Sequence, residues 1–431
     1  LDGKTRLDLI DDAADPDFQK PAKNPHGVLF RDYALRTLLR SLIYKAFGRY
    51  LVVDPTSPGN LRYRLSSEPP ADEAEEQGWN ERSRAFHSKS VLVATKDSSD
   101  GVKAYIGMLT ALLAWSPRVA LIDEPEAFLH PSLSHQLAKD LCINLAGNGS
   151  RLVVATHSAN FLMGCIASAS PVNIVRLTYS GGMSTARLLD QARLAPMLRN
   201  PLLRSVNMLG ALFHRAVVVA EADSDRAFYQ EVNERLLAFG DERGIDGCVF
   251  MNAQNKQTVW SIVAPLRALG IPAAGVVDVD VLKEGGAVWA KVMDGANIPP
   301  ITRAGLEIAR ARLMAVFKAL PGYKDNTMKR CGGVDLLTAH DRQAADELFD
   351  TLANYGVFVV RRGELESWLR YVGVDSPKER WLADIFEAMG DDPVSADYIK
   401  PVAGDVWDFV GNVGAWCDDS GRRGMDEVIV A

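Results

Sequence analysis

The chain has 431 residues, more than the ~250–300 at which a single hydrophobic core stops growing, so two or three domains are expected. Hydrophobic residues make up 47% and charged residues 24%, ordinary globular usage that excludes a mostly disordered, collagen-like or coiled-coil chain. The formal net charge of −7 argues against nonspecific coating of DNA or anionic membrane, yet leaves room for a local basic groove.

No apolar stretch approaches the ~18 residues of a membrane span. Cys142, Cys165, Cys248, Cys331 and Cys417 lie far apart with no CxxC, which indicates neither a disulfide framework nor a zinc ribbon, and a cytoplasmic location fits best. The start at Leu1 has no basic or apolar leader pattern and reads as a truncation, not as a signal peptide.

In chain order, Leu29–Phe47 has apolar residues at helical spacing, and Asp54–Trp79, rich in Pro, Gly, Ser and acid, reads as a loop. Then come strand Val91–Ala94, helix Val102–Trp115, strand Arg118–Asp123, helix Ser132–Leu145, strand Arg151–Thr156 and a helix from Ser158. That alternation predicts an α/β layer with a parallel sheet. Strands near Val172–Thr178 and Ala186–Leu189 close this part, and a helical stretch Leu202–His214 leads out.

A second α/β series follows: strand Ala216–Glu221, helix Asp225–Phe239, strand Cys248–Asn252, helix Thr258–Leu269, strand Ala273–Asp278, strand Val357–Val360 and helix Glu364–Tyr371. Residues 284–350 read as a mostly helical insert, and the tail has helix-like runs at Lys378–Met389 and Val406–Val413.

The first candidate site is Val119-Ala-Leu-Ile-Asp-Glu-Pro-Glu126, an apolar strand ending in two adjacent acids, where open α/β sheets place ligands. Asp123 suits a Mg²⁺ ion held through water, and Glu124 suits orientation of an attacking water. The next strand ends at His157, and Asp97-Ser-Ser-Asp-Gly101 precedes a helix whose N-terminus offers N–H groups and a hydroxyl to an anion. Taken singly, such features are commonly solvated strand ends and helix caps.

Together, in this order, they resemble the C-terminal half of ABC-type ATPases of the DNA-repair and chromosome-maintenance kind, with LIDEPEAFLHP the most specific string. The resemblance implies Asp123 as the Walker B acid, Glu124 as hydrolytic base, His157 as switch histidine, and Ser99 and Gly101 in a signature motif. It also implies ATP as ligand of the complete protein and a head-to-head homodimer. No GxxxxGK[ST] is present, and Gly3-Lys4-Thr5 is no substitute. Residues 1–215 are therefore expected to be an ATPase domain without its Walker A lobe.

The second candidate site is a set of carboxylates at three strand ends: Glu221 and Asp225, then Asp278 and Asp280, then Glu364 and Glu366. If the chain stays extended, Asp278 and Asp280 point to one face. Six such acids repel one another unless cations lie between them, and hard oxygen ligands suit Mg²⁺ or Mn²⁺. Two ions so held activate water and stabilise a leaving oxygen in phosphodiester cleavage.

The Glu, Asp-four-later and Asp-x-Asp spacing resembles the topoisomerase–primase (Toprim) domain, with Ala222 where glycine is usual. An ABC-type ATPase followed by Toprim resembles the overcoming-lysogenization-defect (OLD) family of nucleases, whose later acidic motif Gly363-Glu-Leu-Glu366 resembles. The likeness implies all six acids as metal ligands, one Glu through water, and a basic residue facing the phosphate, either Lys378 or Lys283. It carries phage defence as a family association.

The expected domains are thus residues 1–215, a Toprim nuclease over 216–375 with its insert at about 284–350, and a helical segment over 376–431. Arg303, Arg310, Arg361 and Arg362 are candidates to line a DNA groove. A nucleotide-gated DNA-binding or assembly protein with an idle acidic cluster stays open as the alternative.

Overall fold

The computed structural model describes residues 1, 5–14, 19–146, 149–180, 183–189 and 208–425. The α/β class expected from the alternation is borne out by parallel sheets flanked by helices. The chain divides into two compact units, Leu1–Val172 and Asn173–Ala431.

In the first unit, strands Val119–Asp123 and Arg151–Ala155 pair in parallel. Helices Tyr33–Phe47, Asp100–Trp115 and Pro131–Ala146 contribute Leu39, Ile43, Tyr105, Leu109, Leu137 and Leu141 to a buried core. The expected loop over Asp54–Trp79 is corrected. Its residues enter an antiparallel hairpin, Tyr50–Ser57 with Asn60–Ser66, and a short helix, Glu73–Gln77.

The polar residues that suggested solvent exposure there form a buried ionic framework. Asp54 is fully buried and accepts hydrogen bonds from Thr56, Arg62 and Arg64; burial pushes its carboxyl up, but Thr56, His87 and Arg64 outweigh it and hold it down to about 2. Glu76, 1% exposed, accepts from Arg36, Arg40 and the N–H of Val53. Buried charges are tolerated when so paired, whatever the local hydropathy.

The second unit is built on a four-stranded parallel sheet whose spatial order is Cys248–Asn252, Ala216–Ala220, Ala273–Asp278, Val357–Val360. Every residue of Ala216–Ala220, Ala273–Asp278 and Val357–Val360 is buried, as continuous Val-rich runs require when helices cover both faces. Helix Asp223–Ala238 and the tail helices Lys378–Met389 and Asp405–Asp418 share one core, through Phe228, Val232, Trp381, Ile385, Trp407 and Val410. The tail helices Lys378–Met389 and Asp405–Asp418 are thus part of this unit's packing. The hairpin Ile174–Ser180 with Met183–Leu189 belongs to it too. Gly3, Lys4 and residues 202–207 lie outside the described residues.

Arg267, fully buried, joins the sheet to its surroundings by donating to the carbonyls of Ala273, Ala296, Gly356 and Gly424. Truncation to alanine strands several buried acceptors at about 1–3 kcal/mol each. Arg267→Ala is therefore expected to destabilise the second unit by about 3 kcal/mol or more, read as a lowered urea midpoint by circular dichroism.

Candidate metal centre and nucleotide site

In this sheet the first strand, Ala216–Ala220, lies between the second and the third. Such a reversal of strand order opens a crevice at the carboxyl ends, where α/β sheets bind ligands. Glu221 follows the first strand and Asp278 ends the third. The Asp278 N–H donates to Glu221 Oε1 at 3.0 Å. One oxygen each from Glu221, Asp278 and Asp280 lie within 4.8 Å of one another.

The extended path expected through Asp280 is corrected: the strand stops at Asp278, and Val279–Lys283 coil into a 3-10 turn. Pairing ends there because the Val279 N–H turns to the carbonyl of Gly363 at 3.2 Å. Asp278 and Asp280 still converge, by coiling and not by strand alternation. Ala222 sits at φ −128°, an ordinary extended value, so the turn does not need glycine. The Asp225 carboxylate closes it by accepting from the Ala222 N–H at 3.0 Å.

The expected helix Glu364–Tyr371 is also corrected. Two short 3-10 turns, Leu365–Ser367 and Arg370–Val372, stand in its place. The Ser367 hydroxyl donates to the Glu364 carbonyl, and the Leu369 N–H donates to Asp405, so local side-chain bonds take the groups a helix would pair. Gly363, at φ +135°, supplies backbone geometry that a side chain would strain.

Burial, above all, pushes Glu221 up to about 7, with Asp280 and Asp225 adding repulsion against the pull of Asp278 N–H and Lys329. Burial likewise raises Asp225 to about 6, helped by Glu366. Asp278 is held well above the usual carboxylate range by burial and then by Glu221. Clustered carboxylates with raised values are a recurrent mark of functional clefts.

Three lysines face these acids. Lys329 Nζ lies 2.6 Å from Asp278 and 3.7 Å from Asp280. Lys256 lies 3.1 Å from Asp280 and 2.6 Å from Glu284, and Lys378 lies 2.7 Å from Glu364 and 3.9 Å from Glu366. Burial pulls Lys329 down, but Asp278 outweighs it and the ammonium is strengthened.

Lys378 therefore stands at the acidic set, whereas Lys283 pairs with Asp325. Sequence reasoning missed Lys329 and Lys256. Lys329 lies in the insert, on a four-residue helix, Thr327–Arg330, with no spacing rule to tie it to a strand end. Despite the lysines, Asp280 Oδ1 and Glu366 Oε2 are buried with no hydrogen-bond partner among the described residues. Such orphaned carboxylate oxygens fit a hard cation.

Among the groove candidates, Arg310 is corrected. It is 8% exposed, pairs with Glu307, donates to the Leu282 carbonyl and lies over Trp289, so it holds the insert in place and faces no groove. Arg303 pairs with Asp294, Arg361 with Asp346 and Asp350, and Arg362 with Asp335.

In the first unit, Asp123 ends its strand and Glu124 adopts φ +45°, left-handed backbone that strains a non-glycine residue. The Glu124 N–H donates to Ala155 at 2.8 Å. Arg6 donates to the carbonyls of Asp123 and Glu124, a support that motif reading missed. His157 Nδ1 lies 3.3 Å from Glu124 and 3.6 Å from Glu126. Buried Glu126 accepts from the Thr156 hydroxyl and the His157 N–H.

The two strand ends thus meet, with Glu124 and His157 exposed. Ser99 caps its helix by accepting from Val102. A side chain at Gly101 would meet the Phe128 carbonyl at 2.6 Å.

Residues 31–163 match a family described as AAA domain, putative AbiEii toxin, Type IV TA system. A relative, the Old nuclease of Escherichia phage P2, is 23% identical over 177 residues; the match covers 39% of this chain and 28% of that protein's length. Two solved structures are similar in part. One, from a study of ATP-driven dimerization and DNA-stimulated activation of SMC ATPases, is 16% identical and covers 38% of this chain and 89% of that one, with a TM-score of 0.26. The other, an Smc head bound to the C-winged helix domain of ScpA, is 14% identical and covers 44% and 55%, with a TM-score of 0.29. No helix among the described residues is long and apolar enough to cross a membrane. The likeness to the overcoming-lysogenization-defect family, read from LIDEPEAFLHP and the spacing of the acids, is thus supported by an Old nuclease relative and by an AAA-domain match over the expected ATPase segment.

Proposed function

We propose that the second unit is a Toprim-type nuclease that hydrolyses DNA phosphodiesters with divalent metal, and that the first unit is an ABC-type ATPase that regulates it. The observation that carries this reading is the convergence of Glu221, Asp278 and Asp280 at the reversal of strand order, with a buried Asp280 oxygen left unpartnered.

Glu221, Asp278 and Asp280 would hold one Mg²⁺ or Mn²⁺, and Asp225, Glu364 and Glu366 a second. Bound there, such ions supply Lewis-acid stabilisation of phosphate oxygens and an activated water. Lys378, 55% exposed at its side chain, is placed to meet the charge of a scissile phosphate. Asp225 and the Ala222 N–H fix the turn that presents Glu221, and Glu221 in turn orients Asp278 through its backbone N–H.

In the first unit Asp123 is assigned to a nucleotide-bound Mg²⁺, Glu124 to the attacking water, His157 to sensing the terminal phosphate, and Ser99 and Gly101 to a signature motif facing a partner's nucleotide in a homodimer. The test is cleavage of supercoiled plasmid with Mg²⁺, Mn²⁺ or EDTA, without ATP. Metal-dependent nicking or linearisation is expected. DNA binding with no cleavage under any metal would overturn the nuclease reading in favour of a nucleotide-gated binding protein.

A further inference from the structure

Lys329 is placed differently from the other two lysines. Lys256 shares its ammonium between Asp280 and Glu284, and Lys378 stays with the two later glutamates. Lys329 alone among them contacts Asp278, and it reaches two of the three carboxylates whose oxygens cluster.

Its main chain is held from behind. A side chain at Gly363 would meet the Lys329 carbonyl at 2.1 Å, and one at Gly333 the Arg361 carbonyl at 2.1 Å. The Val334 N–H donates to Arg361 at 3.0 Å. The backbone around Lys329 is therefore packed against the loop carrying Glu364 and Glu366, and its freedom lies in the four-carbon stem.

A Mg²⁺ ion sits about 2.1 Å from a carboxylate oxygen. If bound at Asp278 Oδ2, it would lie no further than about 4.7 Å from an ammonium that is itself 2.6 Å from that oxygen. At this range inside a protein, repulsion exceeds the free energy of a tenfold step in affinity. Ammonium and ion cannot both keep these positions without a large loss of affinity.

Resting on the metal-centre reading above, we propose that the Lys329 ammonium is a tethered counter-cation that holds the place of a divalent ion at Asp278 and Asp280 and is expelled when the ion binds. The lysine then keeps the acidic cluster neutralised without metal. It also sets the metal concentration at which the centre loads.

Two measurements on the full chain without DNA test this. In the first, Mn²⁺ binding is followed by the electron-spin resonance signal of free Mn²⁺. Lys329→Met is expected to tighten binding about tenfold or more, while Lys283→Met, which removes a nearby charge paired with Asp325, stays close to wild type. In the second, reductive methylation of the unaltered chain is read by mass spectrometry. Lys329 is expected to be protected in EDTA and modified in saturating Mg²⁺.

Mn²⁺ affinity unchanged or weakened by Lys329→Met, or Lys329 still protected in Mg²⁺, overturns the tethered-cation proposal alone. Absence of Mn²⁺ binding to either chain overturns the metal-centre reading and the proposal with it. The methylation readout does not depend on the variant folding.

Discussion

Asp278→Asn is expected to reduce metal-dependent plasmid cleavage at least about 100-fold, beyond the 10–100-fold typical of outer-shell partners of a metal, while leaving DNA binding and the fold intact. The carboxylate is buried, lies within the Glu221 and Asp280 cluster and contacts Lys329. The amide is nearly isosteric, so packing is conserved, and the backbone N–H that Glu221 accepts is untouched. Removing one charge from a cluster in which burial and Glu221 already strain Asp278 should leave the metal-free protein as stable as the parent, or more so. Functional sites are often kept at a cost in stability. The checks are plasmid cleavage, filter binding of DNA and thermal unfolding in EDTA. Cleavage within a few-fold of the parent would remove Asp278 from the chemistry. Lost cleavage with a collapsed melting temperature would make the residue structural.

Much of this centre was legible in the sequence because strand ends are. Val-rich runs buried on both faces gave Ala273–Asp278 and Val357–Val360 to the residue, and an acid just beyond such a run must lie at the sheet's carboxyl edge. What was not legible is carried by side chains that answer other side chains. Asp54 and Glu76 looked like solvated loop acids, yet each is buried by arginines, Arg62 and Arg64 on the same hairpin and Arg36 and Arg40 from a helix. Arg310 shared a helix face with Arg303, but only the fold brings Trp289 and the Leu282 carbonyl to it. Lys329 escaped for the same reason: its proximity to Asp278 depends on the insert folding back over the loop at Gly363. Periodicity reports which face is buried; it does not report which buried charge finds a partner.

The stabilisation conferred by Mg²⁺ or Mn²⁺ is expected to grow with pH, small near pH 5 and largest above about pH 7. Glu221 rises from 4.5 to about 7 and Asp225 from 3.8 to about 6 on folding. Across that window the folded metal-free protein retains protons that the unfolded chain has released, so the stability these two groups contribute falls as pH rises and is lost as pH passes through about 7. A divalent ion needs the ionised carboxylates and must displace those protons, so its affinity climbs over the same window. At a hundredfold excess over Kd, binding stabilises by about 2.7 kcal/mol, or roughly 5–10 °C for a unit of this size. Thermal unfolding with Mn²⁺ and with EDTA, from about pH 5 to about pH 8.5, isolates the term, since groups elsewhere titrate alike in both series. The increment should shrink in Asp278→Asn, which removes a ligand of one of the two ions. An increment that is large at pH 5 and flat with pH would mean that the acids are already ionised when the ion arrives, contrary to what their burial and mutual repulsion require. An increment as large in Asp278→Asn as in the parent would mean that no ion is held at Asp278.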